Sequence, residues 1–213
     1  MKNPPYNLIV FTGRLQHGKS TGARVLEKKG YKRIRFAEPI KDMLMAIGLT
    51  KEQVDGNEKA VPCSLLCGNT PRWGLQSLGT QWGRELIGES IWANITEARI
   101  RAVLLTGGKV VIDDCRFDSE AEMLSRLGAV IVRVERDSMQ PKRSWFTKIL
   151  FALGLKREHA SEAGVSNRYI DITLKNNGTV EDLNKLVEAV ANGSYFVSSQ
   201  VYDAVLELQT KAA

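Results

Sequence analysis

Residues 13 to 20 read Gly13-Arg14-Leu15-Gln16-His17-Gly18-Lys19-Ser20, and this spacing decides how the rest of the chain is read. The stretch fits G-x-x-x-x-G-K-[ST], the P-loop, with Gly13, Gly18, Lys19 and Ser20 in the four fixed places. The chemistry accounts for the pattern. Glycines let the backbone turn tightly around an anion with its N–H groups pointing inward. A lysine at position 19 reaches the β- and γ-phosphates of a nucleotide, and a hydroxyl at position 20 ligates Mg²⁺. The candidate phosphate-binding residues here are Gly13, Arg14, His17, Gly18, Lys19, Ser20 and the adjacent Thr21.

Context raises the motif above a chance match. Before it lies Asn7-Leu-Ile-Val-Phe-Thr12, an apolar run typical of a buried parallel strand. After it, residues 21–29 read as a helix stopped by Gly30. Strand, glycine loop and helix is the order that places a phosphate at a helix N-terminus.

A chain of 213 residues suits one α/β domain with an insertion. Its 43% hydrophobic and 25% charged residues are ordinary for a globular protein. The polar start, with Pro4-Pro5, lacks a signal-peptide pattern, and no apolar run approaches the ~20 residues a bilayer span needs. The expectation is therefore a cytoplasmic protein with no membrane partner. Cys63, Cys67 and Cys115 do not make a disulfide framework, and His17 and His159 do not complete a zinc site, so reduced thiols are expected. The formal charge of +6 and pI of about 9.3 suit either nucleic acid or an enzyme that grips polyphosphates.

Further along, a second strand is expected over 31–36 and a helix over 37–47, with Ile40, Met43, Leu44 and Ile47 on its buried face. Lys41 lies off that stripe, as a substrate contact or as a solvated charge. Residues 50 to 70 read as irregular, and Arg72 to Arg84 as a helix interrupted by glycines. Arg72 and Arg84 suit bidentate phosphate binding and equally an ordinary surface. A helix over 92–105 precedes Lys109-Val-Val-Ile-Asp-Asp114, a strand ending in two carboxylates. An acid at this place suits Mg²⁺ or its waters, and since successive strand side chains point to opposite faces, Asp113 and Asp114 should not do identical jobs. Both also suit a turn. A helix over 118–127, a strand over 129–134, a last strand over 169–174, a turn at Asn176-Asn177-Gly178-Thr179 and a helix over 180–191 complete an alternating pattern. Such alternation predicts a parallel, doubly wound sheet. A short helix is expected in the tail, 194–213. Between residues 135 and 162, basic residues alternate with Trp145, Phe146 and Phe151. That stretch fits a lid closing over a phosphoryl group, a nucleic-acid surface or an amphipathic helix.

Several stretches together resemble one family, the phage-type deoxynucleoside monophosphate kinases of the P-loop nucleoside and nucleotide kinase superfamily. They are G-R-L-Q-H-G-K-S-T at 13–21, F-A-E-P-I-K at 36–41, L-Q-S-L-G-T-Q-W-G-R at 75–84, V-V-I-D-D-C-R-F at 110–117, H-A-S-E at 159–162 and L-K-N-N-G-T at 174–179. The resemblance implies an α/β P-loop NTPase fold with a parallel five-stranded sheet flanked by helices, and a single kinase domain over 1–213. Within it, a monophosphate-binding helical region would span about 37–106 and a lid about 136–162. It further implies transfer of the ATP γ-phosphoryl group to a deoxynucleoside monophosphate. Arg84 and Arg116 become substrate-phosphate ligands; Phe36, Lys41 and Trp82 become walls of the monophosphate site, with Arg72 and Asp114 beside them. Arg136 and Arg143 become catalytic arginines with Lys19, Arg84 and Arg116. His159 and Glu162 become substrate-site residues, and Asn177 and Gly178 adenine contacts. ATP and Mg²⁺ are the implied cofactors, Ser20 and Asp113 are the metal candidates, a nucleic-acid partner is disfavoured, and a homodimer stays open. A phage protein would act in its host's cytoplasm.

The expected mechanism is direct in-line transfer, because a phosphate acceptor is already anionic and needs no strong base. Two alternatives stay open. A nucleoside acceptor would need Asp113 or Asp114 to take a hydroxyl proton, and a nucleic-acid-binding ATPase would use the basic stretch on DNA.

Overall fold

The computed structural model describes residues 5–137 and 164–195. The chain forms two compact units, one of Met1–Arg33 with Val103–Ala213 and one of Ile34–Ala102. Arg143, His159, Glu162, most of the expected lid and the tail from 196 lie outside the described residues.

The first unit holds the sheet. Its strands are β1 (Leu8–Thr12), β2 (Tyr31–Arg33), β3 (Lys109–Ile112), β4 (Val130–Glu135) and β5 (Ile172–Lys175). They lie in the order β2-β3-β1-β4-β5, and every neighbouring pair is parallel. A central strand covered on both faces needs an unbroken apolar run, and all five residues of β1 are buried. At the edge, β5 alternates instead, with Ile172 and Leu174 buried and Thr173 and Lys175 exposed.

In chain order the helices are α1 (Lys19–Lys28), α2 (Glu38–Ala46), α3 (Lys51–Asp55), α4 (Pro71–Ser77), α5 (Ile91–Leu105), α6 (Asp118–Arg126) and α7 (Val180–Ala191). Against the sheet, Ile9 and Phe11 pack with Leu26 of α1 and with Leu183, Val187 and Val190 of α7. Gly22 lets these layers close up, since a Cβ there would meet the Phe11 ring and Val187, each at 3.2 Å. A reciprocal cap starts α7: Asp182 N–H donates to Thr179 Oγ1, and Thr179 N–H to the Asp182 carboxylate.

The second unit has its own small core of Leu44, Leu49 and Val54, with Leu66, Leu75 and Leu78 against it. Here the expectations need correction. Glycines do not interrupt the helix over 72–84: α4 runs at Ser77 straight into a π-helical stretch, Leu78–Ile87. Its glycines serve contact with a ring. A Cβ on Gly83 would lie 2.4 Å from Trp92 Cζ2, and the Trp92 indole N–H donates to Gly79 O at 2.8 Å. Ile47 is 56% exposed rather than buried, because α2 ends at Ala46. The irregular stretch contains α3, started by a Thr50–Gln53 capping box.

Two strands are shorter than expected. Pairing of β2 stops at Arg33, opposite Val111, and residues 34–36 leave the sheet. The last strand begins at Ile172, after a 3₁₀ turn at Asn167–Tyr169. No described helix is long and apolar enough to cross a membrane.

All three cysteines are free thiols: Cys67 exposed, Cys63 half-buried and Cys115 buried. Burial pushes the Cys115 thiol well above its ordinary value, and the carboxylates of Glu120, Asp114 and Asp118 push the same way. Iodoacetamide at neutral pH should therefore modify Cys67 first and Cys63 next, and reach Cys115 only after denaturation. Peptide mass spectrometry over a time course would read this directly.

Candidate phosphate-binding site

The glycine loop leaves β1, the middle strand, at the point where its neighbours β3 and β4 lie on either side. In an open α/β sheet this crevice is where ligands bind. Gly13 and Gly18 have φ of 126° and 106°, and Gln16 is left-handed at 64° without being glycine. Close approach also requires both glycines. A Cβ on Gly13 would lie 2.4 Å from Val134 O, and one on Gly18 would lie 2.5 Å from Asn176 Nδ2. Gly18 provides no side-chain cap for α1, so no cap side chain covers the first N–H groups of the helix, the kind of place where anions bind.

Lys19 folds back over this loop. Its ammonium donates to Gly13 O at 2.7 Å and Arg14 O at 2.6 Å. Burial lowers its pKa, the Arg116 charge adds to that, and Asp113 opposes it. Lysine carries three donors, and two of them are taken by these carbonyls.

Beside the loop, Asp113 is 5% exposed. Ser20 Oγ donates to its Oδ2 at 2.6 Å. Arg33, from β2, donates through Nε to Oδ1 at 2.9 Å and through Nη2 to Oδ2, a two-pronged pair. Arg33 also reaches Glu27 of α1 at 3.4 Å. The donors available to a metal are one hydroxyl and one carboxylate. These hard oxygens fit Mg²⁺, which is held through one or two carboxylates plus phosphates and water. Three-residue clusters of His, Cys, Asp or Glu are absent among the described residues, and such a site does not need one.

Polar groups also shape the turn after β3. Thr12 Oγ1 donates to Cys115 O at 3.1 Å. The buried Glu120 carboxylate accepts from Arg116 N at 2.8 Å and Phe117 N at 3.2 Å. This turn carries Arg116, exposed at its surface, into electrostatic range of Lys19.

On the far side, His17 is 6% exposed and its Nδ1 donates to Val134 O at 3.1 Å. The imidazole of this candidate phosphate-binding residue is thus hydrogen-bonded to β4. Asn177 is exposed; its Oδ1 accepts from Asp137 N at 3.0 Å and its Nδ2 donates to the Asp137 carboxylate at 2.7 Å. Gly178 is exposed beside it. Arg136 follows β4, half-buried, and its Nε finds no partner among the described residues.

The second unit carries the remaining described candidates. Phe36 is buried. Lys41 donates to Asp55 at 2.6 Å, with Arg35 and Lys59 each 3.6 Å from the same carboxylate. Burial pushes the Asp55 carboxyl up, and Lys41, Lys59 and Arg35 more than reverse this, leaving it below the usual range. Arg72 is exposed on α4; Arg84 and Trp82 are half-buried in the π-helical stretch, with the Trp82 ring 6.1 Å from that of Trp92.

Sequence reasoning missed Arg33, Asp55, Glu120 and Asn176. Arg33 and Asn176 act on partners far away in sequence, which no spacing rule points to, whereas Glu120 stands at the N3 capping position of α6 and could have been found from that spacing.

A family model described as deoxynucleotide monophosphate kinase matches residues 50–187, more than half of the chain. A mimivirus protein (Acanthamoeba polyphaga mimivirus) named as a deoxynucleotide monophosphate kinase is 27% identical over 202 residues, covering 88% of this chain and 97% of its own. The deoxynucleoside-5′-monophosphate kinase of Escherichia phage T5 is 33% identical over 107 residues, covering 50% of this chain and 39% of that protein. Among solved structures, dephospho-CoA kinase from Campylobacter jejuni aligns at a TM-score of 0.44 and 17% identity, covering 89% of this chain and 99% of that one.

Breaking a buried ion pair from one side strands the other charge. Arg33→Met should therefore lower unfolding stability by about 3 kcal/mol. Adding Asp113→Asn should cost less than the sum of the two single losses. Urea denaturation of the four proteins in this cycle gives the comparison, and strictly additive losses would remove the pair from the account.

Proposed function

The chain belongs to the deoxynucleotide monophosphate kinase family, and from that premise we propose that it transfers the γ-phosphoryl group of ATP directly to the phosphate of a deoxynucleoside 5′-monophosphate. The observation that carries the donor half is the glycine loop with Lys19 above it and the Ser20–Asp113 pair beside it. In this reading the triphosphate takes the Lys19 ammonium from the carbonyls of Gly13 and Arg14. The backbone N–H groups of the loop and of the start of α1 hold the remaining oxygens. Ser20 and Asp113 would hold Mg²⁺, which would offset phosphate charge when bound.

The acceptor half is proposed from Arg84, Arg116, Arg72, Phe36, Lys41, Trp82 and Asp114, with His159 and Glu162. A helical region over about 37–106 would carry most of it, and a lid over about 136–162 would bring Arg136 and Arg143 to the transferring group. Asn177 and Gly178 are proposed at the adenine, and Thr21 at the phosphates. Because the attacking oxygen is already anionic, the residues need only align the two phosphates and offset their charge. ATP and a monophosphate together carry about six negative charges, which the basic excess of the chain suits. The cytoplasm, of a host cell for a phage protein, is the proposed site of action.

Lys19→Ala should lower turnover about 10³-fold or more while leaving the circular dichroism spectrum unchanged. ADP release with ATP and Mg²⁺ should appear with deoxynucleoside monophosphates and not with nucleosides or DNA. Full activity in the Lys19 variant, or turnover on nucleosides alone, would overturn the proposal.

A further inference from the structure

We infer that Asn176 is a positioning residue for the donor phosphates, acting on the glycine loop from behind through the carbonyl of His17. The inference rests on reading that loop as the donor site. Asn176 is the first residue after β5 and is 5% exposed. Its backbone N–H donates to Glu135 O at 2.7 Å, which extends the β4–β5 ladder by one bond and holds its Cα rigidly. Its side-chain Nδ2 donates to His17 O at 2.8 Å, across 159 residues of sequence.

A trans peptide is planar, and its C=O and N–H point in opposite directions. Holding His17 O against Asn176 therefore aims the Gly18 N–H away from Asn176. Gly18 lies in the fixed part of the motif whose N–H groups cradle phosphate. Two further features fix its surroundings. His17 Nδ1 donates to Val134 O at 3.1 Å, and Gly18 lies so close that a Cβ there would touch Asn176 Nδ2 at 2.5 Å. Without its bond to Asn176, the His17–Gly18 plane loses the restraint on its carbonyl, and the aim of the N–H loosens.

The side-chain amide is specific for this task. It must offer a donor to a carbonyl oxygen in a buried place. A carboxylate of the same shape would set oxygen against oxygen, and would add a negative charge behind a loop that receives phosphates. Asn176→Asp is therefore the sharp test, because it keeps volume and changes only the donor and the charge. A merely structural role would weaken both substrates together; a role in aiming the loop weakens ATP alone.

ATP binding is measured by calorimetry without acceptor, and KM for each substrate by ADP release, on wild type, Asn176→Asp and Asn176→Ala checked by circular dichroism. Asn176→Asp should weaken ATP binding about tenfold or more, and Asn176→Ala by less, with the acceptor KM within about twofold of wild type. Should the Asp variant be insoluble, the Ala variant carries the same expectation of lost ATP affinity at unchanged acceptor KM. ATP affinity equal to wild type, or parallel loss for both substrates, overturns the inference. A wild-type protein that binds ATP yet phosphorylates no deoxynucleotide would overturn the acceptor assignment instead, and the ATP comparison would still decide the role of Asn176.

Discussion

A carboxylate at the end of a buried strand must be neutralised where it stands, and Asp113 sets that condition for the sheet-bearing unit. Water does not solvate a group that is 5% exposed. Its charge is met by the Arg33 guanidinium and by the Ser20 hydroxyl. Those partners come from β2 and from the start of α1, while Asp113 itself follows β3. One ionised group thus ties together three elements that are far apart in sequence. Remove the carboxylate and Arg33 keeps Glu27, 3.4 Å away; remove Arg33 and the buried carboxylate loses its two-pronged cationic partner while keeping the Ser20 hydroxyl.

The phosphate loop is braced from both sides. Toward β3 it is held through Ser20 and Asp113, and toward β4 and β5 through Val134 and Asn176. Between these supports its own backbone takes left-handed turns at Gly13, Gln16 and Gly18, conformations that an unsupported chain would not hold as one geometry. The loop is therefore rigid because its surroundings are. Rigidity matters for phosphoryl transfer, where alignment and fixed charge account for most of the catalysis.

Much of this was legible residue by residue. The apolar run at Leu8–Thr12 reads as a buried strand because both its faces are covered, and the period of Leu183, Val187 and Val190 reads as a helix face because only one face is. The glycine loop declares itself because left-handed turns and close approach demand glycine at fixed places. Gly79 and Gly83 misled, since the same residue that breaks a helix also lets a ring lie against one, and Trp92 decides which. The end of β2 was hidden too: the chain leaves the sheet after Arg33 although β3 runs on to Ile112, and the apolar pattern over 34–36 does not show it.

The sequence by itself determined the alternation of strand and helix and the glycine-rich turn at residues 13 to 20, and it singled out Asp113 as the candidate for a cation. These follow from local chemistry, in which each residue's conformational preference and polarity suffice. Only the tertiary structure decided which basic side chain would meet Asp113 and which amide would hold the loop. Arg33 lies 80 residues from its partner and Asn176 lies 159 from its own. A hydrogen bond acts over about 3 Å and leaves no period in the sequence, so such pairings become visible only once the strands have been laid side by side.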